Sequence, residues 1–440
     1  MDYDVAGAPR STPTIKETDR WRVRFWSIWT GQALSLVGSA LTQFVLLWWI
    51  TDTTGSVAAL SLAGTMALLP QALLGPLGGT LADRMSRRTL ILVADSVTAL
   101  CMVVLIVLFA ADAVQLWHVY TLMFVRSSMQ AFQSPAAASS TAMLVPPAML
   151  PRVAGLNQAL QGVMTVAAAP LGALALAFLP LQGALAIDVG TALLGLVPLL
   201  IFRIPQPARA AGVQPTVWQD FRTGLRVVTG NRGLAMLYGL VALVVLTVMP
   251  TFTLTPLLVR EHFGGGVNQV ALMEGLSGLG IIAGGVLITA LPPRRRQIAV
   301  ILVSLAVSCG TVALTALAPA GMFGLAIMWW VVSGVSFSTG NAPMMALIQT
   351  LVPNALQGRV LSLLNTTVGL AGPVGLALGG LLGGVVGVRG VFIVGGLLSA
   401  AVCLLGFASS SLRRLGARLQ DGIGDPGASP LLPEKPERVG

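Results

Sequence analysis

The chain has 440 residues, of which 55% are hydrophobic and 10% are charged, and its formal net charge is +10. A mean hydropathy of +0.84 and a charged fraction far below the roughly 25% of soluble domains exclude an ordinary water-soluble protein. The positive charge does not indicate nucleic-acid binding, because the cations do not cluster on one water-exposed face. The sequence therefore predicts an all-α integral membrane protein.

Apolar segments follow one another along almost the whole chain, and each is long enough to cross about 30 Å of hydrocarbon. The stretch 297–358 has no charged residue and is too long for one crossing, so we divide it at the turn-forming residues 318–321. Twelve transmembrane helices result. We place them at 24–50, 57–81, 89–111, 117–143, 153–179, 183–203, 233–259, 269–291, 297–318, 322–350, 360–386 and 390–411.

The polar segments divide the chain into five parts. These are a cytoplasmic tail at 1–21, a first six-helix bundle at 22–203, a linker at 204–232, a second six-helix bundle at 233–411 and a disordered tail at 412–440. In the linker, apolar residues at spacings of three and four predict an amphipathic helix, which either tethers the bundles or braces them. The residues are Trp218, Phe221, Leu225 and Val228.

The distribution of cations predicts the orientation in the membrane. All but three of the 26 lysines and arginines fall in the tails or in loops of one parity. The three exceptions are Arg126, inside a span, and Arg260 and Arg389, in loops of the other parity. Because positive charge accumulates on the cytoplasmic side, we expect both termini in the cytoplasm and the chain in the cell's inner (plasma) membrane.

The loop between the second and third spans is short and rich in charged residues, whereas the spans on either side are apolar. Partial charges at helix ends attract ionised side chains, so this loop is a candidate gate that latches one conformation. Alternatively, its arginines only set the topology and contact anionic lipid headgroups. The candidate gating residues are Gly79, Asp83, Arg84, Arg87 and Arg88.

Four charged residues fall inside predicted spans, namely Asp95, Arg126, Asp188 and Glu274. Each costs at least a few kcal/mol there unless it is paired, neutralised or hydrated. The 1.5 Å rise per residue puts Arg126 and Asp188 at similar depths and Asp95 nearer the cytoplasm. Arg126 is expected to pair with Asp188 or Asp95, and Glu274 is a protonation or cation-sensing candidate. Each residue is otherwise a static ion pair or polar anchor.

The two halves resemble one another in sequence. Leu144-Val145-Pro146 followed by Arg152-Val153 recurs as Leu351-Val352-Pro353 followed by Arg359-Val360, at an offset of 207 residues. Two related bundles with the same orientation can rock about a shared axis and expose a central cavity to each side in turn. The repeat therefore favours alternating access by two pseudo-symmetric bundles.

Several stretches resemble the major facilitator superfamily, and in particular its drug and siderophore efflux branch. The similarity covers about 22–411, and residues 79–88 match the family's loop signature except that Ser86 replaces a glycine. It implies the twelve-helix fold of that family, a loop that locks the outward-facing state, and a cavity lined by spans one, four, seven and ten. The other matching stretches are Trp29 to Gly38, Trp48, Thr54-Gly55-Ser56, Ala184 to Asp188, and His262 to Gly266 with Glu274.

The resemblance also suggests further site residues. Amides and aromatic side chains in the cavity-lining spans suit a bulky amphipathic molecule. These candidates are Gln32, Gln43, Phe44, Gln133, Trp330 and Asn341. Proline and glycine in spans five and eleven either bend the helices or allow close packing. These are Pro170, Gly172, Gly372, Pro373 and Gly375.

We therefore expect a secondary active transporter that exports hydrophobic or amphipathic small molecules, such as drugs or macrolides, in exchange for protons. Export of siderophores or other metabolites, solute import, and a receptor without transport are the alternatives. The sequence has no Walker loop, nucleophile motif or metal cluster, so we expect neither an enzyme nor a cofactor or metal. The expected partners are the substrate, protons and the lipid bilayer, without nucleic acid, and the resemblance suggests a monomer.

Overall fold

The computed structural model describes residues 15–202, 204, 217–291 and 297–414, without the side chains of a few helical residues. The predictions for residues 1–14 and for 415–440 lie outside this part, as do those for the side chains of Asp83, Arg84 and Trp218. The described residues form α-helices, two short 3-10 turns and loops. The helices are α1 Ile15–Thr54, α2 Val57–Arg84, α3 Arg87–Ala110, α4 Leu116–Leu144, α5 Leu150–Phe178, α6 Leu181–Ile201, α7 Val217–Gly230, α8 Arg232–Phe263, α9 Val267–Ala290, α10 Gln297–Leu317, α11 Phe323–Leu351 and α12 Asn354–Leu405.

Ten of the described helices are long and apolar enough to cross a membrane. One of them, α12, has 52 residues and departs from helical geometry at Gly387, where φ is 71°. At about 1.5 Å per residue it is long enough for two crossings, and glycine adopts the left-handed φ at the turn without steric cost. With α4, which has the necessary length but a polar face, the helices are consistent with twelve crossings.

Side chains at loop positions fix several helix boundaries. Ser86, at the position where the family signature has glycine, precedes α3 and accepts a hydrogen bond from the Thr89 backbone N–H at 3.4 Å. Asn231 precedes α8 and accepts bonds from the backbone N–H groups of Gly233 and Leu234 at 3.0 and 3.1 Å. Such caps satisfy donors that the first helical turn leaves unpaired, so they separate consecutive helices sharply.

The packing repeats between the two halves. In the first half α4 packs on α2 and α3, and in the second half α11 packs on α9 and α10. The halves meet where α2 packs on α12 and α5 packs on α9. In the repeat α2 corresponds to α9, and α5 corresponds to the first part of α12. The α2–α12 contact is therefore the counterpart of the α5–α9 contact, and the bundles are related by an approximate twofold axis.

We call the side of the bundle that carries the α2–α3 loop at 85–86 the arginine-rich side, and the side that carries the α1–α2 loop at 55–56 the opposite side. At the opposite side both halves contribute to one buried apolar cluster, which we call the shared core. At the arginine-rich side each half has its own cluster, the first-half core and the second-half core. Examples are Val45, Leu60, Leu257 and Phe392 in the shared core, Phe25 and Ile91 in the first-half core, and Leu237 and Leu302 in the second-half core.

The sequence repeat accounts for equivalent positions in the two separate cores. Leu144, Val145 and Val153 are buried in the first-half core. Their counterparts Leu351, Val352 and Val360 are buried in the second-half core. The repeated apolar residues are therefore packing residues at equivalent positions of the two bundles.

Helix α7 occupies the described part of the linker, as the apolar spacing predicts. It packs on α8 and α12, both of the second half. Val228 is buried in the second-half core, whereas Leu225 is 41% exposed. The helix is therefore more than a tether, but its main contacts lie with one bundle.

Candidate functional site

A cavity of about 350 Å³ lies within the first half, and every described residue that lines it falls between Phe25 and Ile204. It extends from Phe25 and Leu144, in the first-half core, to Arg126 and Asp188. Arg126 is ten residues into α4 from the opposite side, or about 15 Å along the helix axis. The cavity therefore reaches more than halfway through the bundle from the arginine-rich side.

The polar face of α4 forms one wall of this cavity. Arg126, Gln130 and Gln133 follow one another at spacings of four and three, which places them on one face of a helix. All three line the cavity. Gln130 was not among the predicted site residues, although its spacing from Arg126 and Gln133 is the sequence signal that could have indicated it.

The structure brings Arg126 to Asp188 rather than to Asp95. Arg126 Nη1 lies 3.7 Å from Asp188 Oδ2, and the two side chains are 15% and 4% exposed. Neither of these two atoms has a hydrogen-bond partner. Arg126 Nη2 instead donates to the Ser39 carbonyl oxygen of α1 at 2.5 Å. Arg126 is therefore anchored to α1 independently of Asp188, and the pair itself is a charge contact without a hydrogen bond.

A close approach of α1 and α6 places Asp188 at this position. A Cβ on Gly38 of α1 would meet the Thr191 hydroxyl and, at 3.0 Å, the Asp188 Cα. Without a side chain at Gly38 the two backbones come together. Asp188 Oδ1 then accepts a hydrogen bond from the Ser39 hydroxyl at 3.3 Å. The glycine is thus the packing feature that puts the carboxylate beside Arg126.

Asp95 lies in the same cavity and is held by two amides. Its Oδ1 accepts a hydrogen bond from Gln133 Nε2 at 2.7 Å, and its Oδ2 accepts one from Gln32 Nε2 at 3.1 Å. Gln133 Nε2 also lies 3.2 Å from Gln32 Oε1. Asp95 is only 7% exposed. The two glutamines expected in a substrate cavity are therefore also the groups that orient this carboxylate.

The remaining cavity candidates lie elsewhere. Phe44 and Trp330 are buried in the shared core, where the Trp330 ring lies 5.5 Å from Phe252 and 6.1 Å from Phe392. Gln43 and Asn341 are half-buried and do not line the cavity. In this conformation spans seven and ten, which are α8 and α11, contribute nothing to its described lining.

Glu274 lies apart from the cavity, at the contact between the halves. A Cβ added to the next residue, Gly275, would lie 3.0 Å from Pro170 Cγ of α5. On α9 the strongly exposed residues, such as Leu272, Leu279 and Val286, lie on the face away from Glu274. Within the described residues, Glu274 has no hydrogen bond or ion pair. It is a half-buried carboxylate next to a residue of the α5–α9 contact.

The described arginines of the candidate gating loop bind within the first half. Arg88 donates to the carbonyl oxygens of Leu199 and Leu200, at the end of α6, at 2.5 and 2.7 Å. Arg87 donates to the Ser139 carbonyl oxygen of α4 at 3.1 Å. A cation is favourable at a helix C-terminus, so Arg88 stabilises the end of α6. Gly79 lies in α2 with nothing within 4 Å of a Cβ position.

Of the proline and glycine candidates, Gly172 and Gly375 lie at close helix contacts. Gly172 of α5 lies against Phe44 of α1, and Gly375 of α12 lies against the Leu246 carbonyl of α8. These are equivalent contacts in the two halves. Gly372 is more loosely packed, since a Cβ added there would lie 3.5 Å from Met249 Cγ. Pro170 and Pro373 lie inside helices, and the non-helical residue of α12 is Gly387 rather than Pro373.

A contact between the halves at the opposite side was not predicted from the sequence, where Arg260 served only to count loop charges. Arg260, near the end of α8, lies 3.4 Å from Asp52 of α1 and donates to the Thr51 carbonyl oxygen. The Arg260 and Asp52 side chains are 37% and 60% exposed. We call this set of interactions the α1–α8 contact.

The helical architecture, the twofold repeat and the charged cavity inside a membrane bundle define a polytopic membrane transporter. The family model of the Major Facilitator Superfamily matches residues 28–329 and 294–432. The chain belongs to this superfamily. Its members are transporters and not enzymes, and the protein is accordingly a multi-pass membrane protein that transports small molecules.

Two relatives and two solved structures illustrate the similarity. Macrolide efflux protein A of Streptococcus pyogenes is 29% identical over 402 residues, which cover 91% of this chain and 99% of that one. The protein of the same name from Enterococcus faecalis is 29% identical over 323 residues, 73% of this chain and 100% of that one. A variant of the nucleoside transporter NupG has a TM-score of 0.71 at 14% identity and covers 88% of this chain and 99% of its own. An inward-facing bacterial homologue of the iron transporter ferroportin has a TM-score of 0.65 at 18% identity, with 90% and 98% covered.

Proposed function

We propose that this protein exports hydrophobic or amphipathic small molecules, macrolides among them, in exchange for protons. Both termini face the cytoplasm, because the positive-inside rule assigns the arginine-rich side to the cytoplasm. The cavity then extends inward from the cytoplasmic end of the first half, the side from which an exporter collects its substrate. Relatives whose name is macrolide efflux protein, matching 91% of the chain, support this substrate class and this direction.

The observation that carries the proposal is the arrangement of the apolar cores. The two halves share one core at the opposite side and have separate cores at the arginine-rich side. The halves are therefore packed together at one end only, as alternating access requires of an inward-facing state. Rocking about the α2–α12 and α5–α9 contacts would separate the shared core and expose Phe44 and Trp330 to the outside.

The Arg126–Asp188 pair is the proposed coupling element. Because the pair has no hydrogen bond between its charged groups, protonation of Asp188 removes a charge attraction without breaking a directional bond. Arg126 keeps its bond to the Ser39 carbonyl in either state. A proton that arrives at Asp188 from outside would therefore loosen α6 from α4 while α1 stays in place. Glu274, at the α5–α9 contact, is a second candidate proton carrier.

A transport assay tests the proposal. Purified protein is reconstituted in liposomes with an internal pH dye, and a radiolabelled macrolide is added under an imposed proton gradient. We expect the macrolide to move in the direction opposite to the protons, the gradient-driven macrolide movement to stop after addition of an uncoupler, and the coupling to be lost in Asp188→Asn. The matched control is Asp112→Asn, which removes an exposed carboxylate outside the cavity.

The outcomes discriminate between the candidate functions. Macrolide movement that persists unchanged with an uncoupler would disprove proton coupling. Absence of macrolide movement, together with proton-coupled movement of a siderophore when that compound is supplied instead, would point to another substrate. A reporter fused to each terminus of the full chain checks the orientation independently, since an enzyme active only in the cytoplasm should be active at both ends.

A further inference from the structure

The cavity has an unbalanced negative charge. Of the residues that line it, Asp95, Arg126 and Asp188 are the ionisable ones. Arg126 lies 3.7 Å from Asp188, so these two charges offset one another. Asp95 has no cationic partner among the described residues. With both carboxylates ionised, the described lining has a net charge of −1.

The hydrogen bonds of Asp95 orient its carboxylate but do not neutralise it. Both donors, Gln32 and Gln133, are neutral amides. A carboxylate has about four acceptor positions, two on each oxygen, so two amide N–H groups leave others free for a ligand. An ionised group in a poorly hydrated site is costly without an opposite charge. The site therefore fits a ligand that brings a positive charge and N–H donors.

The surroundings of Asp95 fit the rest of such a ligand. Trp29, Met102 and Met129 line the same cavity. The Trp29 indole N–H donates to Asn157 Oδ1 at 2.8 Å, which fixes the ring. A fixed indole face attracts cations, and apolar side chains accommodate a hydrophobic body. A volume of about 350 Å³ lies within the usual range for small-molecule sites.

We propose that Asp95, positioned by Gln32 and Gln133, binds the protonated amine of the transported compound, so that monocationic amphipathic amines are preferred to their neutral or anionic analogues. This inference rests on the proposed function, since it assumes that the cavity is the substrate site. It also separates the two cavity carboxylates, with Asp95 for the substrate cation and Asp188 for the proton.

Binding of a matched pair of compounds tests this proposal. One probe is a fluorescent aromatic sulfonamide with a dimethylaminopropyl tail, and the other is its neutral isostere with carbon in place of the amine nitrogen. Fluorescence anisotropy with the full chain in lipid nanodiscs measures both affinities. A charge-assisted hydrogen bond corresponds to about a tenfold preference or more, so we expect the wild type to bind the cation at least about tenfold more tightly.

Variants assign that preference to one carboxylate. In Asp95→Asn, affinity for the cation should fall to that for the isostere while affinity for the isostere stays unchanged. Asp95→Glu should retain part of the preference, and Asp112→Asn, an exposed carboxylate outside the cavity, should retain all of it. Equal loss for both compounds in Asp95→Asn, or a preference that survives this change, would overturn the proposal.

Transport of the same two probes distinguishes this inference from the proposed function. If the wild type transports neither compound but still binds the cation through Asp95, the proposed function fails and the subsite stands. If it transports both compounds equally and Asp95→Asn abolishes proton exchange with both, the subsite fails and Asp95 carries the proton.

Discussion

Removing the Arg260 side chain should shift the transporter away from the conformation seen in this structure. The α1–α8 contact joins the two halves at the side that is closed in this structure. The Arg260–Asp52 pair at 3.4 Å is substantially exposed, so it contributes at most about 1 kcal/mol. The bond from the guanidinium to the Thr51 carbonyl adds about 1.5 kcal/mol, the lower end for a charged donor.

The two contributions give about 2 kcal/mol, which corresponds to about a 30-fold change in the ratio of the two conformations. Arg260→Ala should increase the fraction that is open at the opposite side by about this factor, because the bundles lose a contact that opening at this side has to break. Spin labels at Ala113 and Ala320, which are exposed in loops of different halves on this side, report the opening. Double electron–electron resonance in nanodiscs measures the population at the longer distance.

Asp52→Asn is the matched control, since it removes the charge pair but leaves the bond to the Thr51 carbonyl. We expect a shift below about fivefold for this variant. The double variant Arg260→Ala/Asp52→Asn should behave like Arg260→Ala alone, because the arginine takes part in both interactions. An unchanged distance distribution in Arg260→Ala, or a larger effect of Asp52→Asn, would refute this reasoning.

Three further predictions concern stability, measured as the unfolding midpoint of purified protein in detergent. Arg126→Gln leaves Asp188 buried without its partner and should lower the stability by about 3 to 5 kcal/mol. Asp188→Asn in the same chain should restore much of the lost stability. No restoration would show that the pair is not coupled. Gly375→Val forces a side chain against the Leu246 carbonyl and should lower the stability by about 1 to 3 kcal/mol. The control Gly162→Val in α5 should be well tolerated, because nothing lies within 4 Å of its Cβ position. Equal effects of the two changes would contradict the packing argument. Leu144→Ala and Leu351→Ala should each lower the stability by about 2 to 5 kcal/mol, since both leucines are buried at equivalent positions. A large effect at only one of them would argue against equivalent cores.

Much of the fold could be predicted from the sequence because it depends on local, one-dimensional properties. The length of an apolar run decides whether a helix crosses the bilayer. Prediction placed a break between 386 and 390, and the structure has it at Gly387. The repeat at an offset of 207 residues correctly paired the two halves, because equivalent apolar residues occupy equivalent cores.

The candidate site was predictable only as a list of residues. Burial of a charge in a membrane is costly wherever it occurs, so Asp95, Arg126 and Asp188 were visible in the sequence. Sequence reasoning left open which carboxylate pairs with Arg126. That choice depends on how the helices are rotated and how closely they approach, for example at Gly38, and neither property is encoded in hydropathy.

The sequence by itself determined the membrane class, the all-α architecture and the internal repeat, because hydrophobic length and charge act locally along the chain. Only the tertiary structure decided that Arg126 meets Asp188 and that Gln32 and Gln133 hold Asp95. It also decided that Arg260 joins the halves at Thr51 and Asp52. These contacts link residues distant in sequence, and their geometry is set by helix packing rather than by the local properties of any one span.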